Sequence, residues 1–218
     1  MTTEPRSPGP AAPEGDAIVL SGPPTSLRTT VTVENTSDAR LAVRGATLHL
    51  DDGTAVVGTA AALIGAGATA SLPIVATLDP STAPGTYAAE LEVGGARRSA
   101  VIRVRSTLSL SVSPGEVLAV AGRSPLALDV TNDGNVAIPL ASRAVAATDD
   151  GRGQPGPEIT LEIDNATTLE PGRSMTLEAH LQVPPGLDPA RRHIARLPVG
   201  VADLVVIVLP HTDSESSS

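Results

Sequence analysis

Few residues in this chain combine the types and the spacing that chemistry needs. Gly65, Gly67 and Ala70, within LIGAGATASL at 63–72, satisfy the G-x-G-x-x-A pattern that wraps a nucleotide pyrophosphate where a strand turns into a helix. Asp51–Asp52 and Asp149–Asp150 each stand before a glycine, and acidic turns of that kind can gather a hard cation such as Ca2+ between loops. Paired acids before glycine are also the ordinary make-up of a solvated turn. The stretch DVTNDGN, Asp129 to Asn135, has the composition of a calcium loop, but Leu140 stands at the twelfth position, where an EF-hand needs a carboxylate. The histidines, His49, His180, His193 and His211, form no H-E-x-x-H pair, and no G-x-S-x-G frames a serine. Without any cysteine the chain has no thiolate ligand, cysteine nucleophile or disulfide.

The elements that must position these residues emerge when the two halves of the chain are compared. With Gly67 laid on Gly172, GATASLPIVATLDP stands over GRSMTLEAHLQVPP, and Leu72, Ile74, Ala76 and Leu78 meet Leu177, Ala179, Leu181 and Val183. That alternation is the period of a half-buried strand, and it runs into a proline stop in both copies. Upstream, VENTSDA from Val33 stands over VTNDGNV from Val130; downstream, AELEVGG from Ala89 stands over ARLPVGV from Ala195. The second copy is longer between these blocks, which places an insertion at the turn-rich TDDGRGQPG near Asp149 to Gly156. Because the counterpart of LIGAGATASL is LEPGRSMTL, the glycine pattern reads as a turn leading into a strand rather than as a cofactor loop, and no cofactor is expected. Asn35 and Asn132 recur at one strand end, where an Asn amide bonds neighbouring backbone.

Composition bounds the rest. The chain has 218 residues, enough for two ordinary domains, and 41% are hydrophobic although Phe and Trp are absent and Tyr87 is the only ring. Its core must therefore be built from Val, Leu, Ile and Ala, and 20 Gly with 20 Pro favour short strands and turns over helices. All 15 basic residues are Arg against 24 acidic ones, a formal charge of −9, which gives no electrostatic footprint for nucleic acid or anionic lipid. Sugars and single-stranded nucleic acid both stack on aromatic faces, and one tyrosine is a poor platform for either. Two slim copies that match through their strands leave no large insertion in which to build an enzyme's water-excluding pocket, so catalysis is not expected. MTTEPRSPGPAAPEGD lacks the apolar stretch of a secretory signal, and LVVIVL at Leu204 to Leu209 is far short of the roughly 20 residues of a membrane-spanning helix. A cytoplasmic protein without membrane insertion is the expectation, with export by a non-classical route left open.

TVTVENTSD (Thr30 to Asp38), DPSTAPGTYAAELEV (Asp79 to Val93), LSVSPGEVLAVAGRSPLALDVTNDGN (Leu110 to Asn135) and LEPGRSMTLEAHLQVPP (Leu169 to Pro185) together carry a resemblance. They are similar to the bacterial immunoglobulin-like domains found in tandem in cell-surface and adhesion-related proteins, of the NEW3/CARDB kind. The resemblance implies an all-β chain of two Ig-like β-sandwiches, and Tyr87, after Pro84-Gly85, stands where such sandwiches place a tyrosine corner. The expected order is a disordered segment at 1–15, one sandwich at 16–105, a second at 106–210 and an acidic, Ser-rich tail at 211–218. The function expected is that of a non-catalytic protein-interaction, spacer or scaffold module. A sensor using the acidic turns at Asp51–Asp52 and Asp149–Asp150, or an adhesion domain decorating a surface or particle, are the alternatives. Leu204, Val205, Val206, Ile207 and Val208 are the candidate interaction strand, because a continuous apolar strand must be covered on both faces; the partner would be another protein, or a second copy, joined through a strand edge.

Overall fold

The computed structural model describes residues 17–149, 155–188 and 190–210, and every regular element in them is a strand. The expected disordered segment 1–15, the tail 211–218 with His211, and Asp150 with the centre of the TDDGRGQPG insertion lie outside the described residues. The chain divides into two compact units between Thr107 and Leu108.

The first domain runs β1 (Ile18–Gly22), β2 (Leu27–Glu34), β3 (Leu41–Val43), β4 (Ala46–Leu50), β5 (Ala55–Gly58), β6 (Ala62–Ile64), β7 (Thr69–Ala76), β8 (Gly85–Val93) and β9 (Ala96–Val104). Its strands pair in the order β5-β4-β8-β9-β1-β2-β7, and β3 pairs with β6 beside them. All of these pairings are antiparallel except β1 with β9. Alternate side chains of β2 and β7 (Leu27, Val31, Leu72, Ile74) share one buried cluster with those of β4, β8 and β9 (Leu48, Tyr87, Leu91, Ile102). The ribbon is therefore folded into two facing layers with β1 as the strand that passes between them, the arrangement of an Ig-like β-sandwich.

The second domain runs β10 (Leu110–Ser113), β11 (Glu116–Ala119), β12 (Gly122–Asn132), β13 (Ile138–Pro139), β14 (Arg143–Asp149), β15 (Pro155–Ile163), β16 (Thr168–Leu169), β17 (Ser174–Val183), β18 (His193–Val199) and β19 (Ala202–Val208). The order is β10-β12-β17-β15-β14-β18-β19-β11, with β13 paired to β16. Pro114-Gly115 splits what is one strand in the first domain into two: β10 lies antiparallel on β12, while β11 lies parallel to β19. Both β10 and β11 are edges. The core again comes from alternate positions, among them Leu128, Val130, Leu161, Leu177, Leu181, Leu197 and Val206. The protein is thus all-β, with two Ig-like sandwiches in tandem.

Candidate functional site

Asn35 and Asn132 each close a strand at a buried hydrogen-bond node. The Asn35 amide nitrogen donates to the carbonyls of Ala39 (2.7 Å), Ile64 (3.1 Å) and Gly65 (2.9 Å), and its Oδ1 accepts from the Ser37 N–H (3.1 Å) and hydroxyl (2.7 Å). Asn132 donates to Val136 (2.9 Å) and Leu169 (2.8 Å) and accepts from the Gly134 N–H (3.0 Å). The backbone matches as well: Gly67 N–H donates to the Asn35 carbonyl and Gly172 N–H to that of Asn132, both at 2.9 Å. Gly67 and Gly172 have φ of 66° and 68°, a left-handed conformation that favours glycine. The glycines of LIGAGATASL therefore serve a turn held by Asn35, and the turn opens into the strand β7 rather than into a helix.

A second matched feature was only half legible. Tyr87, buried at the start of β8, donates its hydroxyl to the Ala83 carbonyl at 2.7 Å and ties down the loop that leads into the strand. His193 stands at the equivalent place on β18: Tyr87 pairs with Ile102 and His193 with Val208 across hairpins whose turns contain Gly94 and Gly200. Its Nε2–H donates to the Asp188 carbonyl at 3.0 Å, and the ring is buried. An imidazole in one domain does what the phenol does in the other. The sequence, which showed His193 only as a histidine outside any H-E-x-x-H pair, did not mark it as the counterpart of Tyr87.

The other polar residues form local ties. Ser81 donates its hydroxyl (2.5 Å) and N–H (2.8 Å) to Asp79 Oδ1, and these bonds hold the Asp79 carboxyl below its ordinary value. His49 and Arg97 donate to Glu92 at 3.0 and 2.9 Å on the outward face of β4, β8 and β9, and lower the Glu92 pKa. Asp52 accepts from the Thr54 N–H (2.9 Å) in the β4–β5 turn. Among the described residues no three His, Asp or Glu side chains come together as a cation site, and Asp150 lies outside them.

The candidate strand Leu204–Val208 is most of β19. It has a hydrogen-bonded neighbour on each side, β18 and β11, so its backbone presents no free edge. Leu204, Val206 and Val208 belong to the domain core, whereas Val205 and Ile207 share the opposite face. The free edge lies one strand further out. There β11 holds Leu118 opposite Ile207, and Leu118 is 67% exposed and the following Val120 75%. Neither was marked by the sequence, because EVLAV does not reveal whether its strand has one neighbour or two.

The first domain has a different opening. Among the described residues β1 touches β2 at a single register pair, Ser21 with Arg28, and lies against β9 from Ala100 to Val104. Beyond Ile18, β2 and β9 part around a cleft of about 220 Å3 lined by Val31, Val33, Leu91 and Val93, with Glu34 and Arg98 also on its walls. In the second domain the matching part of β12 is covered by β10, which pairs from Asn132 to Asp129 and packs Leu110 and Val112 against the core.

No helix among the described residues is long and apolar enough to cross a membrane. No protein-family model matches the sequence, and no curated protein matches it. Solved structures similar to it include the Pseudomonas aeruginosa CupB2 chaperone (10% identity, 89% of this chain and 97% of that one, TM-score 0.31). A protein of unknown function from Porphyromonas gingivalis W83 (16%, 88% and 96%, TM-score 0.31) and the E. coli chaperone DraB (14%, 88% and 93%, TM-score 0.28) are similar at the same level. At TM-scores near 0.3 nothing about function follows from these likenesses.

Proposed function

We propose that the chain is a non-catalytic protein-interaction module, a tandem of Ig-like domains of the NEW3/CARDB kind, and that it takes a partner polypeptide as an added strand at the free edge of β11. The observation that carries this reading is the exposure of Leu118 and Val120 on and after an edge strand. An edge presents unpaired N–H and C=O groups, and exposed branched side chains beside them give an incoming strand both hydrogen bonds and apolar contact. Of the candidate strand, half-buried Val205 and buried Ile207 lie beside that face, while Leu204, Val206 and Val208 belong to the core. Such a module holds or spaces its partners and transforms nothing.

The test compares the full chain with a Leu118→Lys/Val120→Lys variant, each recovered from the native cells at equal expression. Both substituted positions are exposed, so the melting temperature should stay unchanged. A polypeptide recovered in stoichiometric amount with the parent and lost with the variant supports strand addition at β11. Equal recovery with both overturns it.

A further inference from the structure

We propose that the outward face of β14, β18, β19 and β11 in the second domain docks a second copy of this chain, face on face about a two-fold axis that runs along β19. The matched hairpin turns at Gly94 and Gly200 set Arg98 against Leu204 and so align the outward positions of the two domains. In the first domain those positions are polar: Ser99 and Arg103 on β9, Glu90 and Glu92 on β8, and His49 on β4. Ion pairs of His49 with Glu92 and of Arg97 with Glu90 and Glu92 tie them together. In the second domain Val205 replaces Ser99, Leu209 replaces Arg103 and Pro198 replaces Glu92. The neighbouring β14 turns Val145 and Ala147 outward, because Ala144 and Ala146 face the core. At the edge of the same face Leu118 and Val120 are exposed. A contiguous apolar sheet face on a chain whose other copy has a charged one marks a protein contact.

The charges on the face identify the occupant. Across the sheet one row reads Glu116, Val205, Arg196, and the next reads Leu118, Ile207, Ile194. Glu116 and Arg196 stand two strand spacings apart, roughly 9.5 Å. Both are exposed, and neither makes an ion pair among the described residues. A two-fold axis along β19 lays β19 on its own copy and β18 on the second copy's β11. Arg196 then meets Glu116 twice and Ile194 meets Leu118 twice, while Val205 and Ile207 meet themselves. An axis across the strands through the first row would instead set Arg196 on Arg196 and Glu116 on Glu116, which charge forbids. The axis along the strands also keeps the two sheets nearly aligned, as face-to-face sheets pack. Asp203, at the hairpin end of β19, lies on the rim, where salt screens it. The whole chain carries −9, so two copies repel at long range and the contact needs these two pairings.

This contact differs from strand addition at β11, although both use the Leu118 side chain. Val205 N–H donates to the Gly115 carbonyl, so by the alternation of a strand the N–H and C=O groups of Glu116 and Leu118 point away from β19, in the plane of the sheet. A copy docked on the face leaves those groups open.

The experiment is sedimentation equilibrium of the purified full chain over a range of concentrations. The expected result is a reversible monomer–dimer equilibrium. Arg196→Glu and Glu116→Arg should each weaken the dimer by about tenfold or more. An equimolar mixture of the two variants should regain it as a heterodimer, because each supplies the charges that the other has lost. Both positions are exposed, so both variants should stay folded, and an unchanged melting temperature verifies it. A monomer at every concentration up to millimolar overturns the proposal. So does a dimer that the single reversals leave intact, or a mixture that stays monomeric. Strand addition at β11 is read by recovery of a different polypeptide, which Arg196→Glu should not affect, and the docked face by the mass of the purified chain, so the two proposals fail separately.

Discussion

Where the first domain places Arg98 the second places Leu204, and the strand that lies along the seam differs with it. In the second domain Pro114-Gly115 lets β10 cover β12 while β11 continues beside β19, and Leu204 belongs to the buried core. In the first domain β1 stays a single strand between β9 and β2, and the seam beyond Ile18 is lined by apolar side chains next to Arg98 and Glu34. In their turns the domains agree in detail, down to the Asn35 and Asn132 nodes and their positive-φ glycines. The contrast teaches that a sandwich can keep its turns and core while one seam changes its lining, a charged residue standing where the other domain has an apolar one and the first strand taking a different course.

The largest effect should come from exchanging the two residues at the seam. Leu204→Arg would bury an unpaired guanidinium in a core without polar partners and should cost roughly 4 kcal/mol or more, unfolding the second domain. Arg98→Leu, on an exposed wall, should change stability by less than about 1 kcal/mol. Thermal melts of each variant measure this directly; equal losses would erase the contrast. Next come Leu72→Ala and Leu177→Ala, at matched and fully buried positions in β7 and β17, each expected to lose about 2 to 5 kcal/mol. Denaturant titration should show the two losses falling in separate transitions, because each belongs to its own core cluster.

Smaller still is the pair at the strand starts. Tyr87→Phe and His193→Phe each remove one side-chain bond to a loop carbonyl, and each should cost about 1 kcal/mol. A loss at Tyr87 with none at His193 would break the equivalence drawn between phenol and imidazole. The smallest effect concerns Asp79, whose carboxylate accepts from the N–H two residues on, as that of Asp188 does in the second domain. Its folded pKa is lowered, first by the Ser81 hydroxyl bond and then by the Ser81 N–H, from an ordinary value of 3.8. The stability it contributes is fully present above that value and is lost as the pH falls through the lowered folded one. Acid melts of Asp79→Asn against the parent should therefore differ at neutral pH and converge below pH 3.8; a difference that persisted unchanged into acid would remove the ionised carboxylate as its cause.

Much of this fold was legible in the sequence, for definite reasons. The period-2 runs ending in proline marked β7 and β17 and put Leu72 and Leu177 inside. Asn before a turn marked both nodes, and Gly67 over Gly172 showed that the glycine pattern was a turn. What stayed hidden depends on which strands become neighbours. LVVIVL is apolar throughout, yet whether it is an edge depends on β11 crossing to its side, and that follows from tertiary packing around Pro114-Gly115. Leu118 and Val120 look like core residues until their strand proves to be the outer one. His193 was missed because nothing local marks an imidazole as the stand-in for a phenol; the equivalence rests on its burial and its bond to the Asp188 carbonyl.

Amide hydrogen exchange across the two seams tests the account most directly. The account predicts that Thr32 and Glu34, whose N–H groups point away from β7 because that of Asn35 donates to Ala68, exchange at nearly unprotected rates. Asp129 and Thr131, facing β10 at the matching positions of β12, should be protected to the level of the second domain's core. Equal protection at both pairs in the free, dilute chain would show that the first seam is closed, and would contradict the account.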